Sequence, residues 1–266
     1  MQQAATRRSV LKLLASVPIA AAASGPAFAA KEPLIGRLIR EARAQSGGDA
    51  QVSQRIDFIS RALLGVPYRA NTLIGGPGRP EIFVVRDDVF DCVTFCETVT
   101  AAALARDRGE FEPVLRRIRY DGGEVRWDRR HHYFAEWCRH NVENRTFRRV
   151  AIDPSVTIDK AVDFSNYGKR QVSMVCVSRD ALLANKRLLA SGDVIAFVSQ
   201  RSNLDFYHTG LVAFDKRSGA LLLRHASQSR GRVIEERMDA FTAANGVKHV
   251  ALLRAVDGAA SSAERR

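Results

Sequence analysis

Apolar residues return every third or fourth position through the first part of the chain. Leu34, Ile35, Leu38, Ile39 and Ala42 predict a helix over 33–43. Val52, Ile56, Ile59 and Leu63 repeat the pattern over 52–64, after a polar, glycine-bearing break at 45–50. Gly65-Val66-Pro67-Tyr68 ends that helix, and the glycines and prolines of 73–80 read as a loop before a short strand at 81–85. Cys92, Phe95, Cys96, Val99, Ala102 and Ala103 form a third stripe at helical spacing, expected to face the interior. A short helix follows over 111–118, then a turn at Asp121-Gly122-Gly123. The dense aromatic run from His131 to Cys138 predicts one more helix. On a helix, His131 and His132 would point in different directions, so at most one of them would serve a given site.

The period then changes. Runs at 193–198, 209–214, 220–226 and 249–254 read as strands, with a hairpin turn at Asp215–Gly219. A meander of antiparallel strands after a mainly helical half is an α+β plan. No repeat or linker interrupts it, so one domain is expected over 30–256, with a polar, mobile tail at 257–266.

Residues 1–29 read as a leader. Thr6-Arg7-Arg8-Ser9-Val10-Leu11-Lys12 joins paired arginines to an apolar position and a lysine, and the apolar stretch from Leu13 to Ala23 is too short to span a bilayer comfortably. Ala27-Phe28-Ala29 offers a small-x-small cleavage site. The run resembles a twin-arginine (Tat) signal, which implies the Tat export machinery as a partner and a mature chain from about Ala30. The alternative is an uncleaved membrane anchor. No other long apolar run follows, so the mature protein is expected to be soluble in the periplasm, without stable membrane insertion.

Composition adds less. After cleavage about 237 residues would remain, with 46% hydrophobic residues in the whole chain, an ordinary globular content. The net charge of +12 falls to +9 without Arg7, Arg8 and Lys12. Arginines crowd the stretch from Arg106 to Arg149. A basic face suits nucleic acid, but an exported protein meets little of it; an anionic wall polymer explains the charge equally well, as does arginine decorating solvated helices. Four cysteines in an oxidising compartment invite disulfides. Cys92 and Cys96 lie one helical turn apart, too strained to bridge, which leaves Cys138 and Cys176 as the pair to consider. No metal site is expected, because no Cys-x-x-Cys or His-x-x-x-His run is present, and no cofactor is called for.

The chemistry concentrates in three runs: Phe90-Asp91-Cys92-Val93-Thr94-Phe95, Tyr207-His208-Thr209-Gly210 and His225-Ala226-Ser227. Asp91 is a good N-cap, which puts Cys92 in the first turn of a helix, where the helix end favours a thiolate. Cys96, one turn further in, reads as a buried structural cysteine. A cysteine at a helix start with two histidines on later strands supplies the parts of a thiol hydrolase. The bland alternatives are a core cysteine at 92 and a buried strand histidine at 225.

Together with Leu64–Tyr68, His132-Tyr133-Phe134 with Trp137, and Gly192-Asp193-Val194-Ile195, these runs resemble the NlpC-type, papain-like cell-wall cysteine peptidases. The likeness is strongest to their N-acetylmuramoyl-L-alanine amidase-like branch and extends along almost the whole mature chain. The resemblance implies a nucleophile at the N-terminus of a helix packed on an antiparallel sheet, with Cys92 attacking an amide carbonyl, His208 as acid–base and His225 orienting His208 without adding negative charge. It also implies a substrate cleft around Tyr68, Asp91, His132 and Tyr133, and a peptidoglycan or muropeptide substrate. The basic, polar stretch at 169–173 matches no family pattern and leaves the substrate-side wall unassigned. Four functions fit: an amidase cutting between the lactyl group and L-alanine, an endopeptidase cutting between D-glutamate and the diamino acid, an acyltransferase, and a non-catalytic wall-binding protein.

Overall fold

The computed structural model describes residues 34–45, 51–163 and 167–257; the expected leader and most of the expected tail lie outside them. Two amphipathic helices come first, α1 (Leu34–Gln45) and α2 (Val52–Ala62), and both bury the apolar stripe read from the sequence. Where a loop and a strand at 81–85 were expected, β1 (Ile74–Gly76) and β2 (Arg79–Ile82) form a small hairpin. Pro77-Gly78, with Gly78 at φ 73°, makes its turn.

Helix α3 (Cys92–Leu104) is buried almost throughout. Its start is fixed by a reciprocal cap: Thr94 N–H donates to Asp91 Oδ1 at 2.7 Å and Asp91 N–H to Thr94 Oγ1 at 2.9 Å. Helix α4 (Arg108–Arg119) follows, and α5 (Phe134–Glu143) begins three residues later than the aromatic run suggested. The carboxylate of Glu97 joins all three helices, accepting from Arg119 Nε at 2.7 Å and from Trp137 Nε1 at 3.2 Å.

The sheet has eight strands: β3 (Phe147–Arg149), β4 (Ser155–Val162), β5 (Arg170–Ser178), β6 (Val194–Val198), β7 (Phe206–Phe214), β8 (Leu221–Ser227), β9 (Arg232–Arg237) and β10 (His249–Ala255). Its order is β4-β5-β10-β6-β7-β8-β9, with β3 beside β10, and all its pairings are antiparallel. Both faces are covered, which shows in the central strand: Val194, Ala196 and Val198 join the core under α1–α5, while Ile195 and Phe197 join a second core with α6 (Arg179–Ala184) and α7 (Met238–Ala244). The fold is thus a mixed α+β structure, with helices on an antiparallel sheet.

All four cysteines are free, Cys138 and Cys176 included. The arginine-rich stretch is largely paired: Arg119 with Glu97, Arg126 with Asp128, Arg129 with Asp121, Arg130 with Glu81, Arg139 with Glu143. Those pairs leave a weaker positive field than the count of arginines suggests. Among the described residues, no helix is long and apolar enough to cross a membrane.

Candidate active site

Cys92 is the first residue of α3, and the cap assigns a use to each nearby donor. Asp91 Oδ1 takes the Thr94 N–H, and the Asp91 carbonyl takes that of Phe95. The N–H groups of Cys92 and Val93, with that of Thr209 on β7, are left to face the sulfur. They favour the thiolate, yet burial outweighs them, and with the charge of Asp91 it pushes the Cys92 thiol up to about 12. The sequence expectation of a lowered pKa at the helix start is therefore corrected: desolvation exceeds the helix-end effect here. Cys96 is fully buried, its Sγ 3.9 Å from Thr209 Oγ1, and so helps hold α3 against β7.

A cleft of about 280 Å³ opens beside Cys92. His208 lines it, together with Leu204 to Thr209, His131, His132, Phe134 and Tyr167. No direct hydrogen bond joins Cys92 to His208 among the described residues. His208 Nε2 lies 2.6 Å from His225 Nδ1, and His225 Nε2 lies 2.9 Å from Glu236 Oε1. Phe197 stacks on His208, with ring centroids 6.1 Å apart, and Phe241 of α7 meets His225 edge-on at 5.5 Å. In this apolar setting burial, followed by the neighbouring His225, pulls His208 down to about 3. Burial also lowers His225, against the opposing pull of Glu236. Sequence reasoning brought Cys92, His208 and His225 together but missed Glu236. It lies two residues beyond Ile234, the residue of β9 that pairs with His225, and only the strand register could have found it.

The expected substrate-cleft residues fare differently. His132 lines the cleft, its Nε2 2.7 Å from the Trp127 carbonyl oxygen and its ring 4.5 Å from that of Tyr167. His131 lines it too, because both histidines precede α5 in a non-helical segment, so the expected helical constraint does not apply. Tyr133 is buried and donates its hydroxyl hydrogen to the Gly168 carbonyl at 2.7 Å, which makes it a support of the wall rather than its surface. Asp91 is committed to the cap. Tyr68 sits near the thiol, its phenol pKa raised by burial and then by Cys92 and Asp91, and is not among the residues lining the cleft.

The unassigned stretch at 169–173 runs, after Lys169, into the start of β5 in the β4–β5 hairpin. That hairpin supports one side of the cleft rather than lining it with its strands. Tyr167 comes from between its strands. Lys160 Nζ on β4 donates to the carbonyls of Ser199, Arg201 and Leu204 at 2.5, 3.0 and 2.9 Å, holding the loop that leads into the cleft. Asp205, in the same wall, accepts the Ala135 N–H at the start of α5 at 2.7 Å.

Known structures share this architecture. The chain is similar to an N-acetylmuramoyl-L-alanine amidase from Bacteroides uniformis, with a TM-score of 0.68 and 24% identity over 77% of this chain and 99% of that one. It is also similar to the protein LPG0564 from Legionella pneumophila, with a TM-score of 0.70 and 18% identity over 84% and 93%. Among curated proteins no match is found. The model of one family, AmiA-like or N-acetylmuramoyl-L-alanine amidase-like, matches residues 58–245, from α2 through the cleft and the histidine pair to the end of α7, and the chain belongs to that family.

Proposed function

We propose that the protein is a cysteine amidase that hydrolyses the bond between the lactyl carbonyl of muramic acid and the nitrogen of L-alanine in peptidoglycan fragments, within a papain-like arrangement. The observation that carries the reading is the His208–His225 hydrogen bond beside a cleft that also holds Cys92. His208 Nε2 is occupied, so Nδ1 is the nitrogen left for the thiol. With the thiol pushed up and the imidazole pulled down, the resting pair is neutral. The proton then passes from Sγ to His208 as sulfur attacks the carbonyl carbon. The first-turn N–H groups at Cys92 and Val93 suit the oxyanion. His208 returns the proton to the leaving nitrogen, the L-alanyl peptide departs, and water activated by the same imidazole hydrolyses the thioester.

Family membership supports a peptidoglycan amide as substrate. The muramoyl bond is preferred over the bond between D-glutamate and the diamino acid because the family description and the similar Bacteroides uniformis protein both carry that activity in their names. Mass spectrometry of products from defined muramoyl-peptides tests it. Release of an L-alanyl peptide is expected; cleavage beyond D-glutamate would make the protein an endopeptidase, and no cleavage with reduced thiols would favour a wall-binding role.

We also infer export by the Tat route to the periplasm, from Arg7-Arg8 and Ala27-Phe28-Ala29. Arg7→Lys with Arg8→Lys should retain the precursor in the cytoplasm, and undiminished delivery would reject the route.

A further inference from the structure

The bonds around His208 and His225 form an ordered set of donors and acceptors. A carboxylate accepts and does not donate. His225 Nε2 therefore donates to Glu236 Oε1 across 2.9 Å. A neutral His225 then has no hydrogen on Nδ1, which must accept, so His208 Nε2 donates to it across 2.6 Å. A neutral His208 with its hydrogen on Nε2 presents a bare lone pair at Nδ1. Without an acceptor beyond His225, the reverse order is equally available: His225 Nδ1 would donate to His208 Nε2, and the Nδ1 of His208 would carry the hydrogen. In that arrangement the imidazole is no base toward a thiol.

We propose that Glu236 is a positioning residue of the active site, whose carboxylate sets the tautomers of His225 and His208 so that His208 meets the Cys92 thiol with a lone pair. The inference rests on the reading of Cys92 as nucleophile and His208 as base. Strand register makes the reach possible. His225 pairs with Ile234 and Leu223 with Glu236, so Glu236 is the diagonal cross-strand neighbour of His225, within range of a long side chain. The adjacent Glu235 is engaged elsewhere, accepting from Arg224 Nε at 2.9 Å. The carboxylate has a second effect. When His208 takes the thiol proton, a positive charge appears in an apolar pocket that opposes it, and an anion one ring away offsets part of that cost. The orienting histidine thus comes with a negative charge after all, one ring further out than sequence reasoning could see.

The test separates tautomer from catalysis. Nitrogen NMR of the imidazoles in full-length protein carrying Cys92→Ala should show His208 protonated at Nε2 alone. Adding Glu236→Ala should give a mixture of tautomers, and adding Glu236→Gln, whose amide oxygen still accepts, should restore most of the original form. In the active enzyme Glu236→Ala should lower kcat roughly 10- to 100-fold with KM changed less than about twofold, and Glu236→Gln should recover most of the loss. A folded Glu236→Ala protein in which His208 keeps its hydrogen on Nε2 overturns the proposal, as does an unchanged kcat. If the unmutated protein cleaves no muropeptide, the amidase reading fails, and the tautomer measurement still decides the role of Glu236. If Glu236→Ala does not fold, Glu236→Asp, whose shorter side chain draws the acceptor back, should shift the tautomer ratio the same way; no shift in that variant counts against the proposal.

Discussion

Gly210 on β7 lies directly against His225 on β8: a β-carbon added at Gly210 would come 2.9 Å from His225 Cβ and 2.7 Å from Leu223 Cδ1. The absent side chain is what lets the two strands carry their histidines to within 2.6 Å. Gly210→Ala should push β8 outward and stretch that bond. We expect kcat to fall about tenfold or more, and stability to drop by roughly 1–3 kcal/mol from overpacking. Single-turnover cleavage and thermal unfolding measure the two effects; a variant with full kcat would mean that the clearance has no bearing on the relay.

Cys92 and Cys96 should separate cleanly. Cys92→Ser should remove essentially all turnover, by roughly 10⁴-fold or more, while the protein stays folded, because a hydroxyl is a far weaker nucleophile than a thiol. Cys96→Ser places a hydroxyl where a fully buried sulfur packs against Thr209, so it should cost stability and keep activity. The reverse pattern in the same assays would show that the nucleophile is one turn further along α3.

The neutral resting pair gives a pH signature. A thiol held near 12 and an imidazole near 3 leave kcat/KM flat across the neutral range, without the rise near pH 8.5 to 9 of an ordinary thiol. Alkylation of Cys92 by iodoacetamide, which needs the thiolate, should instead climb steadily with pH without levelling off near pH 9, and a plateau there would mean the site is more hydrated than its burial implies. For stability the sign follows from the lowered histidine. The unfolded chain binds the His208 proton below about 6.5 and the folded one only near 3. Stability is therefore full above pH 6.5 and declines as pH falls through that window. His208→Asn should make this slope shallower in urea titrations between pH 6.5 and 3, with His131, His132 and His225, also lowered by burial, supplying the rest.

Glu97 and Arg119 should be costly to uncouple. Both side chains are only 3% exposed, and burial already raises the Glu97 pKa against the pull of Arg119. Arg119→Met leaves the carboxylate with Trp137 as its remaining side-chain donor and should cost roughly 3–5 kcal/mol. The double variant with Glu97→Gln should recover part of that. Urea unfolding followed by Trp137 fluorescence reports it, and a loss under about 1 kcal/mol would mean that water reaches the pair.

The sequence made the helices legible where one face is buried and the other wet, as in α1, α2 and α4. It also carried Cys92, His208 and His225, since each sits in a short run whose residue types have few alternative uses. It hid β4 and β5, because charge falls on their core-facing sides too: Lys160 lies in phase with Ile158 and Val162, and Arg170 with Val172, Met174 and Cys176, which blurs the alternation toward the core. It placed His131 and His132 on a helix because the aromatic run is continuous across the true start of α5. Glu236 was invisible for a different reason. Its role depends on which residue of β9 faces which residue of β8, and a strand rich in charge gives no sign of its register.

Asp257 closes the molecule in a way that bears on when it can become native. Its carboxylate accepts the Val52 N–H at the start of α2 at 2.8 Å and pairs with Arg55, which also donates to the Ala103 carbonyl at the end of α3. The anchor of an early helix is thus synthesised 205 residues after the helix it holds. Until Asp257 is made, the start of α2 lacks this acceptor and the layer in which α3 presents Cys92 lacks this tie through Arg55. A truncation just before Asp257 should accordingly impair a cleft it never touches.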